Sequence, residues 1–93
     1  MVTIVHIGNL SASANSDISL KGKLPAPIFK IVSAKILQGH SVDEGGTATY
    51  DIFTVVSPTV TLVDEYTIRL DTDITTKDVL ELIYVSKAEV PLP

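Results

Sequence analysis

Residues 59–70 read Thr59-Val60-Thr61-Leu62-Val63-Asp64-Glu65-Tyr66-Thr67-Ile68-Arg69-Leu70, and this stretch decides the fold. Apolar and polar residues alternate with a period of two on both sides of Asp64-Glu65. Side chains of an extended chain point alternately to its two faces, so each half builds a strand with one apolar face. Asp64-Glu65 is the natural tip of a hairpin between them. Tyr66, Ile68 and Leu70 are placed inward, and Thr67 and Arg69 outward.

The same period extends in both directions. Residues 47–56 alternate in their first half, with Ala48, Tyr50 and Ile52 opposed to Thr47, Thr49 and Asp51. Both faces then turn apolar at Phe53, Val55 and Val56, the pattern of a bulge or of a strand flanked on both sides. Ser57-Pro58 ends that run. Residues 79–85, Val-Leu-Glu-Leu-Ile-Tyr-Val, are apolar on both faces apart from Glu81, which predicts a central strand. Residues 2–7 form another short strand, stopped by Gly8-Asn9, and a brief one follows around Ile18 and Leu20. Residues 10–17 are small and polar, and read as a loop or a weak edge.

Residues 28–37 admit two readings. One alternation sets Ile28, Val32, Ala34 and Ile36 on a single side, with Lys30 interrupting; a helix would group Ile28, Ile31, Val32 and Lys35. The β-branched content, together with the bounding Pro25, Pro27 and Gly39, favours the strand. Residues 39–46, with paired glycines at Gly45 and Gly46, are expected to form a polar loop with a tight reversal. Residues 71–78 are expected to form a polar connection. The tail from Ser86 is expected to run as an extended arm because of Pro91 and Pro93.

Six or seven strands with turn signals every 8–12 residues, and no intervening helical pattern, predict an all-β fold: one domain over 1–93, an antiparallel sandwich or small barrel, with 86–93 as a C-terminal arm. The chain has 93 residues, 45% of them hydrophobic and 19% charged. That suits one modest core and argues against disorder.

Composition also narrows function. The net charge is −4, with eleven acidic and seven basic residues. A nucleic-acid ligand is not expected, because phosphate neutralisation needs a basic face. The lysines at 21, 23, 30 and 35 form the sole basic concentration, and no aromatic residues interleave with them. No cysteine is present, which removes disulfides, thiolate metal sites and cysteine nucleophiles. The opening residues lack a basic segment and a long enough apolar run for a secretory signal. No apolar stretch approaches the ~18 residues of a membrane span. A soluble chain without a membrane partner is therefore expected.

Chemistry-bearing patterns are sparse. His6 and His40 stand far apart, neither with a second metal-type residue at helical or strand spacing, and no nucleophile motif accompanies them. Asp71, Asp73 and Thr75 have the spacing of the start of a calcium loop. Thr76 stands where the required glycine would be, however, and Leu82 where the glutamate would be. A looser cation site at Asp71 and Asp73 stays open beside the ordinary reading of a solvated turn. The aromatic residues Phe29, Tyr50, Phe53, Tyr66 and Tyr84 all sit in apolar strands and are read as core. No enzyme, cofactor or metal is expected.

The segment Thr54-Val55-Val56-Ser57-Pro58-Thr59, followed by Tyr66-Thr67-Ile68-Arg69-Leu70-Asp71-Thr72 and Asp78-Val79-Leu80-Glu81-Leu82-Ile83-Tyr84-Val85, resembles small β-sandwich structural proteins of tailed-phage virions. These include capsid decoration or cement proteins and tail-associated modules. The resemblance covers roughly the C-terminal half and lies in texture: short, acidic, free of cysteine, rich in Thr and Val. It implies a homo-oligomer, or a subunit docked on capsid or tail proteins, located in the virion. Contacts are expected from strand edges and from the tail residues Glu89, Val90, Pro91, Leu92 and Pro93. The other reading is a free immunoglobulin-like adhesion module, cytoplasmic or extracellular, that recognises a protein or glycan through the loops at 39–46 and 71–78.

Overall fold

The computed structural model describes residues 2–43 and 49–89, with side-chain surroundings for 2–39 and 54–88. Among these residues seven strands follow one another: β1 (Thr3–Ile7), β2 (Asp17–Ser19), β3 (Ile28–Asp43), β4 (Thr49–Val56), β5 (Val60–Asp64), β6 (Thr67–Leu70) and β7 (Asp78–Ser86). A short 3-10 turn, Lys87–Glu89, comes after them. The strands form two sheets, ordered β1-β7-β3-β4 and β2-β6-β5. Every strand pairing is antiparallel. The fold is thus an all-β sandwich, as the period-two pattern predicts.

β7 shows how sequence becomes architecture. Leu80, Leu82 and Tyr84 point inward and are fully buried, whereas Val79, Glu81, Ile83 and Val85 on the other face are half-buried. The strand is central, between β1 and β3. Its outer face is shielded only sideways by those neighbours. The inner residues meet Leu20, Ile36 and Ile68 in one core that joins both sheets. Each such side chain stabilises the fold by roughly 1.5–3 kcal/mol through lost contact with water.

Leu20 N donates to Tyr66 O at 2.7 Å, continuing the β2–β6 pairing of the smaller sheet, while Ile28 N of β3 donates to Glu65 O at 2.8 Å and ties the two sheets at that end. Tyr84 Oη donates to the carbonyl of Ala26 at 2.8 Å. At the other end Ala12 and Ile74 exchange reciprocal N–H···O bonds at 3.0 Å. Ile74 is buried there, so the polar connection 71–78 carries one core residue in its middle.

β3 departs from simple alternation. Its register against β7 slips between Ile28 and Lys30 and again between Ile31 and Ser33. Each slip sets an extra β3 residue against β7, the signature of a bulge. The expected single row of Ile28, Val32, Ala34 and Ile36 is therefore corrected. Ile28, Ala34 and Ile36 are buried, but Val32 is 54% exposed. The bulges also turn Lys30 and Phe29 out of the core. Phe29 is 51% exposed, so its reading as a core aromatic does not hold.

The expected loop over 39–46 is corrected as well. Residues 39–43 continue β3 and pair with residues 49–53 of β4. β3 pairs with β7 only as far as Gln38 opposite Asp78. Beyond that point β3 and β4 run on as a two-stranded ribbon, about 17 Å long at ~3.4 Å per residue. The principal extents are 62 × 26 × 21 Å. The expected facing of Ala48, Tyr50 and Ile52, and the glycine reversal at Gly45 and Gly46, lie outside the described side chains.

At the β5–β6 hairpin the tip sits one residue later than expected. Asp64 belongs to β5, and its Oδ1 accepts from the Tyr66 amide at 2.9 Å across the turn. The C-terminal expectation also changes. Ser86 is the buried last residue of β7. Lys87 N donates to Pro27 O at 2.9 Å, and Lys87 Nζ lies 2.8 Å from Glu65. The segment Lys87–Glu89 is therefore a turn tied to the domain. Val90, Pro91, Leu92 and Pro93 lie outside the described residues.

Candidate interaction surfaces

The outer face of the four-stranded sheet is left uncovered by the second sheet. Because strand register is fixed, its residues can be read level by level. Ile4 of β1 stands beside Ile83 of β7, and Ser33 of β3 completes that level. His6, Glu81 and Lys35 make the next level. Val79, Leu37 and Val55 of β4 make a third. Two apolar levels thus bracket one charged row.

Six large hydrophobic residues are exposed among the described residues, and five of them belong to this side of the molecule. Ile4 and Val55 lie on the face itself. Val2 precedes β1 in phase with Ile4, and the two bulges present Phe29 and Val32. Only Val63, on β5, lies elsewhere. Scattered exposed hydrophobics are normal on soluble domains, but a clustered set marks a contact surface.

The charged row has internal structure. His6 Nε2 lies 3.0 Å from Glu81 Oε2, and since a carboxylate only accepts, the imidazole N–H donates. His6 is thus a strand residue with a surface partner. On the far side of Glu81, Lys35 is opposite in register and exposed. The salt bridges among the described residues are His6–Glu81, Arg69–Asp17 and Lys87–Glu65, and Lys35 takes part in none of these.

The connection 71–78 is pinned by its own acids. Asp71 Oδ1 accepts from the Thr59 amide at 2.9 Å and from Thr72 Oγ1 at 3.1 Å. That backbone bond, ahead of the threonine hydroxyl, holds the Asp71 carboxyl below its ordinary range. Asp73 Oδ1 accepts from the Ala14 amide at 2.6 Å. The buried Asp78 accepts from Thr75 N at 2.9 Å and from Thr75 Oγ1 at 3.3 Å. The two carboxylates singled out for a cation are therefore aimed at different backbone amides. Among the described residues no three His, Asp or Glu side chains gather as a metal site.

The four lysines do not share a patch. Lys30 and Lys35 stand on the outer side of β3, while Lys21 lines a shallow groove with Asp64, Glu65 and Lys87. Charges of both signs face each other in that groove. Of the tail residues, Glu89 closes the 3-10 turn. No helix among the described residues is long and apolar enough to cross a membrane.

Sequence reasoning missed the uncovered face. Alternation separates two faces of a strand but does not say which of them a second layer covers. The usable signal was the strands apolar on both sides. Comparisons with protein-family models, curated proteins and solved structures find no match to this chain.

Proposed function

We propose that this chain is a non-enzymatic structural protein of a virus particle, decorating or stabilising a phage capsid or tail through protein–protein contacts. The observation that carries the reading is the uncovered apolar face of the β1-β7-β3-β4 sheet, which concentrates five of the six large hydrophobics exposed among the described residues. An isolated domain gains nothing from such a face; an assembled one hides it. The ribbon of β3 and β4 adds a second support. A two-stranded ribbon is marginal in water by itself and offers free backbone groups to a neighbour. The particle itself is inferred from the sequence texture of the C-terminal half.

The test is composition of particles. Mass spectrometry of virus particles purified from the source of the gene should find this chain in fixed ratio to the capsid or tail subunits. Its absence from intact particles sinks the proposal. Removal of Glu89, Val90, Pro91, Leu92 and Pro93 should weaken incorporation while leaving the domain folded, because the anchoring contacts of Lys87 remain. Full incorporation of the shortened chain would remove the tail from the contact.

A further inference from the structure

We infer that the outer face of the four-stranded sheet is a homodimer interface, in which two copies pack sheet on sheet about a two-fold axis running parallel to the strands between β7 and β3. The inference deepens the proposed function by naming the surface and its occupant.

The strand order itself permits this. Rotation about that axis reverses β1-β7-β3-β4 into β4-β3-β7-β1. β7 then lies over β3 of the second copy, while β1 and β4, which share only the level of Ile7 and Val56, flank that contact. The rotation exchanges strands but keeps every level along them. Glu81 and Lys35 share one level, so each Glu81 meets Lys35 of the other copy, and two opposite-charge pairs form. Val79 and Leu37 share another, so apolar meets apolar twice. Ile83 meets Ser33 with the bulged Val32 beside it.

The other face-to-face two-fold, perpendicular to the strands through the charged row, gives the opposite result. It keeps each strand over itself and sets Glu81 against Glu81 and Lys35 against Lys35. Like charges brought together in a partly dry contact are repulsive. The charged row therefore selects one orientation of a self-complementary contact, as an isologous interface requires. Lys30, at the end of the face, has a stem long enough to lie along Val85 and keep its ammonium in water.

The contact is small. Nine levels of β7 on β3, at about 3.3 Å per residue and about 4.8 Å between strands, make a face of roughly 300 Å² per copy. Two such faces hide about 600 Å², which is the size of a weak, transient contact. A reversible dimer is expected.

Sedimentation equilibrium of the unaltered chain, up to roughly 0.5 mM, should show the dimer, and a monomer throughout overturns the inference. Lys35→Glu and Glu81→Lys should each weaken association by about tenfold or more. Mixed in equal amounts, the two variants should associate again. In the mixture, the new carboxylate at 35 faces the new ammonium at 81, and the two original groups face each other. A mixture that stays monomeric overturns the inference, as does a dimer indifferent to both changes. If Glu81→Lys does not fold, the exposed Lys35→Glu decides alone. Its association should strengthen with salt while that of the unaltered chain weakens, and equal salt slopes refute the pairing. Loss of the dimer leaves particle membership standing, and absence from particles leaves the dimer standing.

Discussion

Tyr84 Oη donates a hydrogen bond to the carbonyl of Ala26 at 2.8 Å, from a side chain otherwise sealed in the core. The bond ties the centre of the larger sheet to the segment that leads into β3. It also fulfils the one polar need of a buried phenol. Tyr84→Phe should therefore cost about 0.5–1.5 kcal/mol, measured by denaturant unfolding. Truncation to Ala should cost more, about 3–5 kcal/mol by analogy with other buried aromatics.

Burial raises the Tyr84 phenol above its ordinary 10.0, against the smaller lowering effect of the Ala26 carbonyl bond. The neutral form is thus favoured more in the folded state than in the unfolded one. The stability this provides is complete below pH 10 and is lost as pH rises through the folded value. Alkaline unfolding curves of Tyr84→Phe should lack that share of the loss. Identical curves for both proteins would refute it.

At the acid end the sign reverses. The Asp71 carboxyl is lowered from 3.8, chiefly by the Thr59 amide, and the Asp64 carboxyl is lowered from 3.8, chiefly by the Tyr66 amide. Both contribute stability above pH 3.8 that disappears as pH falls through their folded values. Asp71→Asn and Asp64→Asn should each flatten the acid limb of the stability profile. Both groups are exposed, so salt should reduce the difference.

Asp78 is a buried acid that accepts two bonds from Thr75 and starts the central strand. Replacement by Ala leaves the Thr75 amide without this acceptor and should cost about 1–3 kcal/mol. Thr75→Val removes only the hydroxyl donor and should cost less. Equal losses would show that the backbone bond carries little.

Two glycines separate conformation from crowding. Gly22 has a φ of +82°, and a Cβ there would meet nothing within 4 Å. Gly22→Ala should cost about 1–2 kcal/mol from backbone strain alone. Gly8 is equally uncrowded but lies outside the left-handed region. Gly8→Ala should be neutral, or stabilising by about 0.4–1 kcal/mol through the unfolded chain. The reverse order of thermal midpoints would refute the assignment.

Much of the fold was legible because period-two patterning is a local signal. Ile68 and Leu70 face the core, and β7 is central, as their residues indicate. What failed was long-range or compensatory. The Lys30 conflict in residues 28–37 looked like an interruption, and two bulges resolve it by adding residues on the open side. Gly39 and the polar residues after it read as a loop, but pairing with β4 holds residues 39–43 extended. Ile74, alone among polar neighbours, gave no periodic signal; its burial depends on Ala12, sixty-two positions away in the chain. The candidate contact face was hidden for the same reason, since its charged row exists only once three distant strands align.

The β3–β4 ribbon makes the molecule longer than it is wide. At 62 Å along one axis and 26 and 21 Å across the others, it meets more drag than a sphere of its 10.0 kDa mass. Its radius of gyration of 15.3 Å exceeds the value of about 12 Å expected for a compact chain of this length. A single copy therefore diffuses, tumbles and travels through a porous matrix as though it were heavier than it is.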